Sequence, residues 1–117
     1  IQIPVPGAPR DINSFTSFTF TLRGTGGLQA EWVTDDKNNA AGGYNWWRTP
    51  TIYLSNNVLT YTYALSSLTQ PTGFGTQHVR SSSYQKTLSL QVEVQAGTGA
   101  VSLGQSGYFE RDDVYLQ

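Results

Sequence analysis

The sequence predicts an all-β protein, an antiparallel β-sandwich of jelly-roll-like kind with an extended proline-rich arm at its N-terminus. Three observations predict it. Apolar and polar residues alternate with a period of two along much of the chain. Gly, Pro and Asn punctuate the alternating stretches. Charged residues make up only 13% of the 117, against roughly 25% in ordinary soluble proteins. Long helices draw on Glu, Lys, Ala and Leu, which are thin here, whereas Thr, Tyr, Val and Phe suit a pleated, half-buried surface. A chain of this length can bury a core without metals or disulfides. The expected division is an arm over residues 1–12 and a single sandwich domain over 13–117.

The arm comes first. Pro4, Pro6 and Pro9 flank Gly7; each proline lacks an amide donor and pushes the residue before it to extended geometry. Residues 1–10 should therefore form an arm or an edge strand. Ile1, Ile3 and Val5 line one side of it, able to pack on their own domain or on a neighbour. Phe18, Phe20 and Leu22 then alternate with Thr19 and Thr21, and Gly24 to Gly27 reads as a turn. Leu28, Ala30 and Trp32 alternate with Gln29, Glu31 and Val33. After a long loop from Asp35 to Thr49, Ile52 and Leu54 alternate with Thr51, Tyr53 and Ser55. Asn56-Asn57 reads as a hairpin turn leading into Leu59, Tyr61, Tyr63 and Leu65. A second long loop runs from Ser66 to Ser83. Leu88, Leu90, Val92 and Val94 make the cleanest strand, Gly97-Thr98-Gly99 turns the chain into Val101 and Leu103, and Val114 and Leu116 close it. No window carries a helical period.

Composition excludes several functions. Seven Lys and Arg stand against eight Asp and Glu, a net charge of −1; no basic stripe offers itself to nucleic acid. No apolar run approaches the roughly 18 residues of a membrane span, so membrane insertion is not expected. The absence of Cys removes disulfides, thiolate catalysis and Cys-based zinc sites. No nucleophile elbow, phosphate-cradling loop or His-Glu-x-x-His stands in the chain, and no spacing selects a carboxylate pair for glycoside cleavage. The expectation is a protein that binds or assembles and is not an enzyme. A polar, weakly charged, Gly- and aromatic-rich composition that opens on Ile1 reads as a processed or excised chain of an extracellular, cell-surface or virion-surface protein.

The first long loop carries the densest chemistry. It gathers Tyr44, Asn45, Trp46, Trp47 and Arg48. Sugars present apolar C–H faces ringed by hydroxyls, so a glycan site needs a flat aromatic beside amides or charges. In an alternating stretch the adjacent Trp46 and Trp47 point to opposite sides: one plugs the core and the other is free to bind, and spacing alone does not say which. The lone His78 has no evident metal-binding partner. The acidic pairs Asp35-Asp36 and Asp112-Asp113 match no EF-hand spacing.

The closing segment, Thr87 to Gln95 and then Tyr108 to Leu116, resembles the final strands of jelly-roll carbohydrate-binding modules, which end in a sequence close to Asp112-Asp113-Val114-Tyr115-Leu116. The resemblance implies a non-catalytic carbohydrate-binding or lectin-like domain whose partner is a glycan or polysaccharide. It implies a structural calcium held in part by Asp112, and sugar-stacking aromatics at Tyr44, Trp46 and Trp47. The chain lacks the Asn-Pro-Gly-Phe-Glu type of opening that supplies the usual Glu partner of that calcium. The alternative reading is a structural assembly subunit, a virion decoration or fibre protein or an extracellular filament protomer. In that reading residues 1–10 mediate self-association by adding a strand to a neighbouring subunit.

Overall fold

The computed structural model describes residues 2–36, 44–73, 76–94, 101–103 and 114–116, with 93–94 and those beyond given as strand backbone. The described residues form nine strands in two sheets. The first sheet has the order β1 (Gln2–Pro4), β7 (Thr87–Val94), β3 (Gly27–Thr34), β4 (Asn45–Arg48), with β5 (Ile52–Tyr53) also paired to β3. In the second, β2 (Ser17–Gly24) lies between β6 (Leu59–Ala64) on one side and β8 (Val101–Leu103) and β9 (Val114–Leu116) on the other. All pairings are antiparallel. The chain is an all-β sandwich, as its alternation predicts.

The core lies between the sheets and follows from that alternation. Phe18, Phe20 and Leu22 of β2 are buried opposite Leu28, Ala30 and Trp32 of β3 and Leu90 and Val92 of β7. The Phe18 ring stacks on Phe20 and meets Trp32 edge-on, with centroids 5.5 Å apart in both pairs. Such geometry suits the quadrupoles of aromatic rings. Tyr61 and Tyr63 of β6 extend this aromatic row to the edge of the second sheet.

Four local features refine the sequence reading or depart from it, the first by deciding between an arm and an edge strand. First, residues 2–10 run along β7: Ile3 pairs with Leu90, the Val5 amide donates to the Leu88 carbonyl and Arg10 bridges Thr87. Ile3 and Val5 are buried, so this segment is the edge strand of its own sheet. Second, the long loop ends in β4, which pairs with β3 through Trp32–Trp47 and Val33–Trp46. Pro50 cannot donate to the ladder, so β4 and β5 form one partner of β3 interrupted between them. Across the gap the Thr49 hydroxyl takes the Ala30 amide at 3.1 Å.

Third, Asn56-Asn57 does not close a hairpin. It carries the chain from β5 in one sheet to β6 in the other. A turn signal reports a reversal of direction, not which strands pair. The Gly24–Gly27 turn crosses between sheets in the same way, with Gly26 at a φ of 83° that favours glycine. Fourth, the second loop contains a 3-10 turn, Leu65–Ser67, and one short helix, α1 (Arg80–Tyr84). Five residues are too few to display a period of 3.6. Among the described residues no helix is long and apolar enough to cross a membrane.

Candidate functional site

Because β4 is a strand, its side chains alternate across the sheet. Asn45 and Trp47 turn inward and are buried, at 0% and 4% exposure, whereas Trp46 and Arg48 are half-buried on the outward side. Tyr44, just before the strand, is 41% exposed. The five residues the sequence singles out therefore divide. Tyr44, Trp46 and Arg48 can meet a ligand; Asn45 and Trp47 hold the structure that presents them.

Asn45 does this through its side-chain amide. Its Oδ1 accepts the Trp46 amide at 2.9 Å and its Nδ2 donates to Asp36 Oδ2 at 3.1 Å. The same Asp36 oxygen accepts the Thr34 hydroxyl at 2.9 Å and the Ser83 hydroxyl at 2.6 Å. One carboxylate thus ties the end of β3, the start of β4 and α1 together. Burial alone would raise its pKa, but the hydrogen bonds from Ser83, Asn45 and Thr34, with the charge of His78, hold it below the ordinary carboxylate value. Ser83 is wholly buried, and its hydroxyl donates its hydrogen bond to this carboxylate.

Arg48 is fixed from two directions. Its backbone pairs with Thr69, and its Nε donates to Glu31 Oε2 at 2.6 Å. Glu31 is only 1% exposed although it lies on the outward side of β3. The chain therefore places a charged pair beside Trp46, whose cross-strand partner is Val33. In register on the far side of β3, Gln91 and Ser89 of β7 follow, then Gln2 and Pro4 of β1. The outward side of the first sheet thus carries Trp46 and Arg48 at β4 and, beyond the buried Glu31 and Val33, the amides of Gln91 and Gln2.

Trp47 points the other way, into the core. Tyr84 meets its ring edge-on at 6.0 Å and the Arg80 guanidinium lies 5.6 Å from its centroid. Its Nε1 is buried and has no hydrogen-bond partner among the described residues. Neither Asp36 as an anchor nor Glu31 as the partner of Arg48 is evident from sequence, because both contacts depend on β3–β4 register. The Asp35-Asp36 pair was the available signal for the first.

Asp112, the residue implied to hold calcium, lies outside the described residues, as do Asp113 and Glu110. Among the described residues, no group of three or more His, Cys, Asp or Glu gathers as a metal site would require. Comparison of the chain with protein-family models, with curated proteins and with solved structures gives no match.

Proposed function

We propose that this protein is a non-catalytic glycan-binding domain of an extracellular, cell or virion surface, and that it binds through the outward side of β4. One observation carries the reading: strand alternation at β4 buries Asn45 and Trp47 and leaves Trp46 outward between exposed Tyr44 and the fixed Arg48. An indole held against a sheet offers a flat apolar surface to the C–H face of a sugar. The Arg48 guanidinium and the amides of Gln91 and Gln2 offer hydrogen bonds to its hydroxyls. Rigid strands hold these groups, so little ordering entropy is lost on binding.

The test is a glycan array followed by titration calorimetry of its hits. Trp46→Ala is expected to weaken binding about tenfold or more, as for a central aromatic anchor, with the circular dichroism spectrum unchanged. An array at background, or unchanged affinity in Trp46→Ala, sinks the proposal.

A second reading, self-assembly, is favoured by β6 in place of the N-terminal segment, which is occupied in its own sheet. The Leu65 amide donates to the Thr16 carbonyl, and the β2–β6 register continues from that pair. By antiparallel parity the odd-numbered members of β6 bond to β2, while Thr60 and Thr62 direct their backbone groups away from it. Among the described residues no strand pairs with that side.

A further inference from the structure

A cleft of about 430 Å³ opens between the segment that precedes β2, the 3-10 turn and α1. Its volume falls in the range of small-molecule sites, roughly 300–1,000 Å³. Leu65 and Tyr84, each 3% exposed, contribute its most buried lining, and Phe15 and Val79 add apolar wall. Val79 is 68% exposed, a large apolar side chain left in solvent at the cleft. The Tyr84 hydroxyl is spent on the Leu65 carbonyl at 2.7 Å. Its burial also raises its pKa far above the ordinary phenol value, so it stays neutral. The deep lining is therefore apolar in character and carries no charge.

Among the described residues that line the cleft, Arg80 is the charged one. Arg80 donates from Nε and Nη2 to the Leu68 carbonyl, at 3.0 and 2.8 Å, and its guanidinium lies over the Trp47 ring. These contacts fix the group but use few of its five N–H donors. Among the described residues no carboxylate pairs with it. A held guanidinium with donors to spare, beside an apolar lining, is complementary to a planar anion attached to an apolar body.

We infer that this cleft is a binding site for a small monocarboxylate with an apolar body about the size of one aromatic ring, its carboxylate on Arg80 and its ring against Tyr84, Leu65 and Phe15. The site is separate from the outward side of β4 and does not depend on glycan binding there. The probe is phenylacetate, with phenylacetamide as its neutral counterpart and inorganic phosphate as an anion without an apolar body. Binding is read by titration calorimetry and by tryptophan fluorescence, which reports on Trp47 beneath Arg80. Phenylacetate is expected to saturate, phosphate alone not to, and phenylacetamide and Arg80→Gln each to bind about 10- to 100-fold more weakly, the effect of losing a charged hydrogen bond.

Because Arg80 also packs on Trp47, Ser81→Glu gives a second handle. Ser81 is an exposed residue lining the cleft, and a carboxylate there competes for Arg80 without removing it. Loss of phenylacetate binding in folded Ser81→Glu supports the site. Equal binding of the amide, equal binding of phosphate, full affinity in Ser81→Glu, or no saturation by phenylacetate overturns it.

Discussion

At the residue scale, the two neighbouring tryptophans separate binding from stability. Trp47→Ala would open a cavity between the sheets and is expected to cost about 3–5 kcal/mol, whereas Trp47→Phe removes an indole N–H that has no hydrogen-bond partner among the described residues. The Phe variant keeps one ring and leaves a smaller void, so it should cost less than the Ala variant in urea denaturation. Trp46→Ala, at a half-buried position, should cost less than Trp47→Ala. Asp36 adds a pH dependence. Its folded pKa is lowered, so its contribution is fully present above the ordinary carboxylate value, about pH 4. That contribution is lost as pH falls through the lower folded value. Asp36→Asn should therefore flatten the acid side of a plot of melting temperature against pH, and an unchanged acid limb would count against the anchor. Arg48→Ala leaves the buried Glu31 carboxylate without its 2.6 Å Nε donor, and losing a charged hydrogen bond costs about 1.5–3 kcal/mol. Binding losses in that variant must accordingly be read beside its denaturation curve.

At the element scale, alternation tells most where one strand face meets the core and the other meets solvent. Phe18, Phe20 and Leu22 follow it strictly, which is why β2 is legible from sequence. In β3 the rule fails for a physical reason: Glu31 and Val33 on the outward side are buried as well, flanked in register by Arg48 and Trp46. The opposition of Trp46 and Trp47 is legible because it needs only local parity. Which of the two is buried is not, because that depends on how β4 registers against β3. The N-terminal strand gives the clearest element-scale prediction. Ile3 and Val5 are 1% and 2% exposed, and burying two such side chains contributes about 3–6 kcal/mol in all. Deleting residues 1–5 should thus lower the melting temperature by about 10 °C or more. A truncated chain that melts like the parent would show that this strand is dispensable to the fold.

At the scale of the whole molecule, local signals leave open how strands are shared between two sheets. Gly24–Gly27 reads as a turn and Asn56-Asn57 as a hairpin in sequence, yet both lead from one sheet to the other, so pairing is decided by long-range burial. Among the described residues that allocation leaves β6 at an edge, and Leu59-Thr-Tyr-Thr-Tyr-Ala64 contains none of the charges or prolines that commonly blunt exposed edges. A two-fold axis through Tyr61 would set Thr60 opposite Thr62 of a second copy, and Thr62 opposite its Thr60. The residues whose backbone groups point outward would then become the hydrogen-bonded pairs. Tyr61, whose hydroxyl is buried without a partner, would face its own counterpart, and the row of Phe18, Phe20, Tyr61 and Tyr63 would continue across the junction. Light scattering over a concentration series should show a dimer. Thr60→Pro should return it to monomer while keeping the fold, because the Thr60 amide faces away from β2 and proline is tolerated at such an edge position. Thr60→Lys should act likewise by placing a charge on the junction. A parent protein that stays monomeric at high concentration, or a Thr60→Pro variant that dimerises as before, rules this edge out as the assembly surface.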